Sequence, residues 1–186
     1  MENSSHGLLF RPVVGLSGSP DLQDSILTVR GKVMELGRLA EAAAPNGRDY
    51  YPQGDGAIGA AIKERAGVAR GVAALADQLL LLADMDAGVR PVDTSGFAEA
   101  ALSFGDSPVM RPTVHLNGTS ASELKSSCVA VFRKADEVEE SLRSIMPNGR
   151  DYLPEDLESA RRQHIARMAF VKKVAGYYLQ LAVPKR

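Results

Sequence analysis

The sequence predicts a mainly all-α protein, two tandem helical hairpins packed as a four-helix bundle, each preceded by a short β-strand or extended arm. Three observations predict it. Pro45-Asn46-Gly47-Arg48-Asp49-Tyr50-Tyr51-Pro52 returns as Pro147-Asn148-Gly149-Arg150-Asp151-Tyr152-Leu153-Pro154, identical at seven of eight positions and 102 residues later, which marks an internal duplication. Each copy is flanked by long segments whose apolar residues recur every three or four positions, the helical period. The composition is 45% apolar but only 5% aromatic, and Leu, Ala and Val supply most of the apolar share.

The arms come first. Met1–Gly7 is polar. Leu8–Gly18 is β-prone and ends in a Ser/Gly cluster, and Pro12 lacks a backbone donor, which restricts any strand here to an edge. Met110-Arg111-Pro112-Thr113-Val114-His115-Leu116-Asn117-Gly118 repeats its Arg-Pro-x-Val-x-Leu-x-Gly pattern at an offset of 100. The units are therefore repeat 1 over 1–84, a connector over 85–107 and repeat 2 over 108–186, and the two arms could pair as a β-ribbon.

The first helix should start near Ser19 or Asp21, where Ser-Pro-Asp combines a cap, a first-turn proline and an acid at the positive end of the dipole. Leu22, Ile26, Val29, Val33, Leu36 and Ala40 form its apolar stripe. The third helix repeats that stripe through Leu124, Cys128, Val131, Ala135, Val138, Leu142 and Ile145, and Ser120 with Glu123 matches a capping box at its start. Both stripes resemble coiled-coil seams and could also join one copy of the chain to another. Cys128 reads as a small core residue, since no His accompanies it at a catalytic spacing.

The second helix should begin between Gly54 and Ile58 and end near Ala83, with Ile62, Ala66, Ala69, Val72, Ala73, Ala76, Leu79 and Leu80 inward. Gly59, Gly67 and Gly71 would permit close backbone approach, at about 1 kcal/mol of helix stability each. The fourth starts at Pro154 and carries Leu157, Ile165, Met168, Val171, Ala175, Tyr178 and Leu181. His164 lies beside that stripe with no second ligand four residues on, so it reads as packed or solvated, not metal-binding. The connector could add a short helix presenting Phe97, Leu102 and Phe104 to the bundle.

A hairpin alone has an apolar face with nothing to cover it, and two copies solve that by packing together. The tips could lie at the same end or at opposite ends. A helix of about 24 residues is roughly 36 Å long, so only antiparallel repeats, or a second protomer, bring one repeat's tip beside an arm-to-helix corner. We expect the antiparallel arrangement.

Charge and composition narrow the function. With 22 basic and 23 acidic residues the net charge is −1, which provides no global field for nucleic acid or an anionic membrane. Glycine aside, no uninterrupted apolar run exceeds five residues, as at Leu79–Ala83, so no membrane span is expected. Met1–Gly18 lacks a basic start and apolar segment, so no signal peptide is expected. A lone cysteine excludes an intramolecular disulfide and suits a reducing cytoplasm. Neither a P-loop, a zinc-ligand spacing nor a nucleophile elbow occurs, so no catalytic residue, metal or cofactor is expected.

The tips are the candidate sites. Asn46, Arg48, Asp49 and Tyr50, with Asn148, Arg150, Asp151 and Tyr152, could be purely structural, with Asn-Gly giving a positive-φ turn, Asp capping it and Tyr covering the end of the core. A turn has no need of a guanidinium, however. In a binding reading Arg48 and Arg150 fork onto phosphate or carboxylate, Tyr50 and Tyr152 stack on a ring, and the amide and acid read its edges. His115, Asn117, Thr119 and Ser120 lead into a helix N-terminus, where free amides favour an anion. Gly15 and Ser17 replace His115 and Asn117 in the first copy, so the repeat-2 corner is the better equipped.

The Val-His-Leu-Asn-Gly-Thr arm and the Pro-Asn-Gly-Arg-Asp-Tyr-Tyr tip resemble small proteins encoded by tailed phages and prophages, which usually carry one copy. The arm matches best at Val114–Thr119 and the tip best at Pro45–Tyr51. The resemblance implies a cytoplasmic protein of the bacterial host cell and supplies no residue roles. Combined with the tips, it leads to an expected function: non-catalytic sequestration of an anionic small molecule, a nucleotide immune signal in its concrete form. The alternative is a helical protein–protein interaction or virion-associated protein with structural tips.

Overall fold

In the computed structural model, residues 9–13, 20–44, 46–84, 109–113 and 119–183 are described, and among them the elements are helices with no strand. Helix α1 spans Pro20–Ala42, α2 Asp55–Ala83, α3 Ala121–Ser144 and α4 Pro154–Leu181, and a 3-10 helix occupies Gly47–Gln53. Expectations for His115, Asn117, the Val114–Gly118 corner and the connector aromatics fall outside the described residues.

α1 packs on α2 and α3 on α4, giving the two hairpins. Lys32 Nζ donates to Ser141 Oγ at 2.7 Å and Lys134 Nζ meets Glu35 at 2.9 Å, so α1 and α3 run antiparallel. Across the other pair, Gln78 meets Arg167 at one level, and Gly71 meets Phe170 at another. A Cβ at Gly71 would overlap the Phe170 ring, so glycine there is what lets α2 and α4 approach. The hairpins oppose each other, with their tips at opposite ends.

Sequence stripes and core agree best on α1 and α3. Ile26, Val29, Val33, Leu36 and Ala40 are buried, and so is every predicted stripe position of α3 from Leu124 to Ile145. Ser120 caps α3 as expected, accepting from the Glu123 amide at 3.2 Å while Glu123 accepts from the Ser120 amide at 3.3 Å. Cys128 is fully buried, and burial pushes its thiol up to about 11, which leaves it a core residue.

The face assigned to α2 needs correction. Ile62 is 58% exposed, Leu80 is 44% exposed, and Ala69 and Ala73 lie on the surface, whereas Ala61, Val68, Leu75 and Leu82 point inward. α2 is Ala-, Gly- and Leu-rich on nearly every side, so no polar back face fixes its rotation; the Gly71–Phe170 contact does. α2 is also long and apolar enough to cross a membrane by length and composition, and more than half of that apolar window is buried in the bundle. On α4, Ile165 is exposed while His164 and Arg167 are buried. Each of those polar groups has an internal partner: His164 Nε2 lies 2.8 Å from the Leu142 carbonyl and Arg167 Nε donates to Gln78 Oε1 at 2.9 Å.

Among the described arm residues Thr113 stands in an isolated bridge and no strand forms, and the rest of the expected ribbon falls outside the described residues. The Thr113 amide donates to the Asp49 carbonyl at 2.8 Å, and the Val13 amide to the Asp151 carbonyl, also at 2.8 Å. Each arm crosses to the other repeat's tip, where an otherwise orphaned carbonyl awaits a donor. Phe10 and Met110 extend the exchange, their amides donating to Gln163 and Glu64 respectively, at 3.2 Å each.

Candidate functional site

The first tip is a compact clasp built by its own side chains. Asn46 Oδ1 accepts from the Arg48 amide at 2.7 Å, and the Asn46 amide donates to Asp49 Oδ2 at 2.8 Å. This reciprocal cap starts a right-handed 3-10 helix, so Gly47 does not adopt the positive φ expected of an Asn-Gly turn. The positive φ sits at Gly54, where the 3-10 helix hands over to α2 at φ 86°. The second tip keeps only half of this cap: the Arg150 amide donates to Asn148 Oδ1 at 2.9 Å, but Asp151 Oδ2 accepts from Asn148 Nδ2 at 2.6 Å in place of a backbone amide, and the segment is a turn, not a 3-10 helix.

Asp49 joins this tip to the other repeat's corner. It is 1% exposed, and its carboxylate accepts from the Thr119 amide at 2.6 Å and the Thr119 hydroxyl at 2.9 Å. Asn46 Nδ2 adds a 3.3 Å bond to Thr119 Oγ1. The amide just before α3, where an external anion was expected, is thus answered by the protein's own carboxylate. Gln53 fastens the arm to the same tip, donating to the Arg111 carbonyl at 2.8 Å and to Thr113 Oγ1 at 2.9 Å.

The tyrosines occupy positions that rule out the stacking role assigned to them. Tyr50 is 1% exposed and Tyr152 6%, so both rings are packed inside. Burial raises both phenols well above their ordinary value, Tyr152 to about 12. Asn46, Arg48 and Ser120 are exposed, as is Arg150, while Asn148, Asp151 and Thr119 are half-buried.

Sequence reasoning missed Tyr51, which is 77% exposed. A 3-10 helix has three residues per turn, so Arg48 and Tyr51, three apart, share one face while Tyr50 turns inward. The available signal was the repeat itself: position 51 is where the two octapeptides differ, Tyr51 standing against Leu153. The exposed cation and ring together can take a negatively charged group and a flat ring. Among the described residues no group of His, Cys, Asp and Glu side chains is placed to hold a metal ion. No family model matches the chain, and no match was found among curated proteins or solved structures.

Proposed function

We propose that this chain is a non-catalytic binding protein that sequesters an anionic, ring-bearing small molecule of the nucleotide class at the junction of tip 1 and the α3 corner. The observation that carries the reading is the shared exposed face of Arg48 and Tyr51 on a 3-10 helix anchored to the other repeat through Asp49. Arg48 supplies charge, Tyr51 a stacking face, and Asn46 and Ser120 exposed polar edges. Asp49 and Tyr50 hold the platform and do not touch ligand, and Tyr152 is packed at the other tip. At the second tip Arg150 and Asn148 lack an aromatic counterpart to Tyr51, which makes it the weaker of the two. The resemblance to phage-encoded proteins suggests the setting, a cytoplasmic sponge for a nucleotide signal of host defence.

Calorimetry with a panel of cyclic and linear nucleotides tests this. One member should bind, and Arg48→Ala with Tyr51→Ala should abolish the heat without lowering the melting temperature. Absence of binding across the panel, or retention in the double variant, defeats the proposal. The burial of Asp49, Tyr50 and Tyr152 favours a second reading, an interaction protein with structural tips, under which the double variant keeps its protein partner.

A further inference from the structure

The two repeats differ where α2 lies along α1. A trough of about 620 Å³ runs there, floored by Gly37, Ala66, Ala69, Val72 and Ala73 and open to solvent past Met34 and Ile62. It follows α2 from Ile62 to Asp77, roughly 22 Å of helix. Shifted by the repeat offset of 102, Ile62, Ala66, Ala69 and Ala76 become His164, Met168, Val171 and Tyr178. His164 and Val171 are buried and Met168 is half-buried, so repeat 2 fills this face with its own side chains, whereas Tyr178 reaches across to Ala40 in repeat 1.

The exchange extends to the hydrogen bonds. Equivalent carbonyls, Ala40 and Leu142, both find side-chain partners, but from different places: Tyr178 Oη donates to Ala40 at 2.8 Å, while His164 serves Leu142. Repeat 1, having Ile62 where His164 stands, takes its donor from the far repeat, and its own side chains do not fill the groove. Arg30, Arg38 and Arg65 line the trough against Glu41 and Asp77, three cations to two anions. Arg30 Nε donates to the Ala76 carbonyl at 3.2 Å, which pins that guanidinium across the trough from α1 to α2.

We infer that this trough is a second binding site, independent of the tips, for a single-chain amphiphile with an aliphatic tail and an anionic head. The floor is aliphatic, and the Tyr178 hydroxyl at its end is already committed, so nothing there reads the edge of a base. An alkyl chain needs no such partners and gains from leaving water. The excess of arginine on the rim selects a carboxylate, sulfate or phosphate head over a cationic one. The volume is that of a small-molecule cleft.

Calorimetry with dodecanoate below its micellar concentration tests the site, with dodecyltrimethylammonium as the cationic control. Dodecanoate should bind saturably, one per chain, and the cation should not. Ala66→Met with Ala69→Val, the residues repeat 2 carries there, should weaken binding by about tenfold or more and leave the protein folded. Arg38→Glu, at an exposed position, should weaken it without filling the trough. The Arg48→Ala, Tyr51→Ala protein should bind dodecanoate normally, which separates this site from the tip. Absence of binding, equal binding of the cation, or equal binding by the filled variant overturns the proposal. So does a native dimer that the filled variant splits, since the trough would then be a contact between copies.

Discussion

The Asp49 carboxylate receives both the amide and the hydroxyl of Thr119, 70 residues away, at 2.6 and 2.9 Å. A buried acid that also accepts from the Asn46 amide has its lone pairs filled by backbone and side-chain donors of two repeats. Removing it leaves three part-buried donors without their acceptor. Asp49→Ala should therefore destabilise the protein by about 2–4 kcal/mol, and Asp49→Asn by less, since one amide oxygen still accepts. Asp151 is half-buried, and Asp151→Ala should cost less than its counterpart. Urea melts of the three variants check the order.

The approach of α2 to α4 rests on a missing side chain. Gly71→Ala would gain about 1 kcal/mol of helix propensity, but its methyl meets a Phe170 ring that is 1% exposed and has nowhere to swing. Overpacking of this kind costs about 1–3 kcal/mol, so the net change should be a loss. Gly71→Ala with Phe170→Leu should recover most of it. Thermal melts showing equal losses for the single and the double variant would mean the ring is not the obstacle.

Legibility followed how one-sided each helix is. α3 has charges on every face but one, so its stripe from Leu124 to Ile145 identified the core correctly. α2 is apolar almost all round, and its periodicity could not distinguish Ile62, which is exposed, from Ala61, which is buried. Antiparallel repeats followed from helix length and the need to bring a tip beside a corner, and Asp49 with Thr119 makes that contact. The inward turn of Tyr50 belongs to the structural reading of the tip; the binding reading missed it because Asn-Gly suggests a left-handed turn, whereas the Asn46 cap begins a right-handed 3-10 helix. That change of backbone exchanges the roles of Tyr50 and Tyr51. His164 could be read only as packed or solvated, because its partner, the Leu142 carbonyl, lies 22 residues away in the chain, and the partner of the buried Arg167, Gln78, lies 89 residues away.

Leu142 combines two duties. Its side chain is fully buried in the main core, and its carbonyl meets His164. Leu142→Ala deletes only the side chain, so the expected cost is that of a core cavity, about 2–5 kcal/mol. Denaturant unfolding should show a lower midpoint with an unchanged slope. A wild-type midpoint would place this side chain outside the core.

His164 gives the fold a defined acid sensitivity. Burial and the neighbouring Arg167 lower its pKa from the ordinary 6.5 to about 4, although the Leu142 carbonyl works the other way. The unfolded chain takes a proton near pH 6.5 that the folded chain refuses until about pH 4. Stability from this residue is therefore complete above pH 6.5, falls as pH drops from there to 4, and is level below that. The loss amounts to about 3 kcal/mol. Glu64 opposes it, because burial raises its carboxyl and so favours the folded state in acid. Comparing wild type with His164→Gln across pH 4–8 isolates the histidine, since Glu64 is common to both. The gap between the two proteins should narrow as pH falls. In the wild type, NMR should find an imidazole that stays neutral at pH 5, and one that protonates near 6.5 in the folded state would remove the basis for this pH dependence.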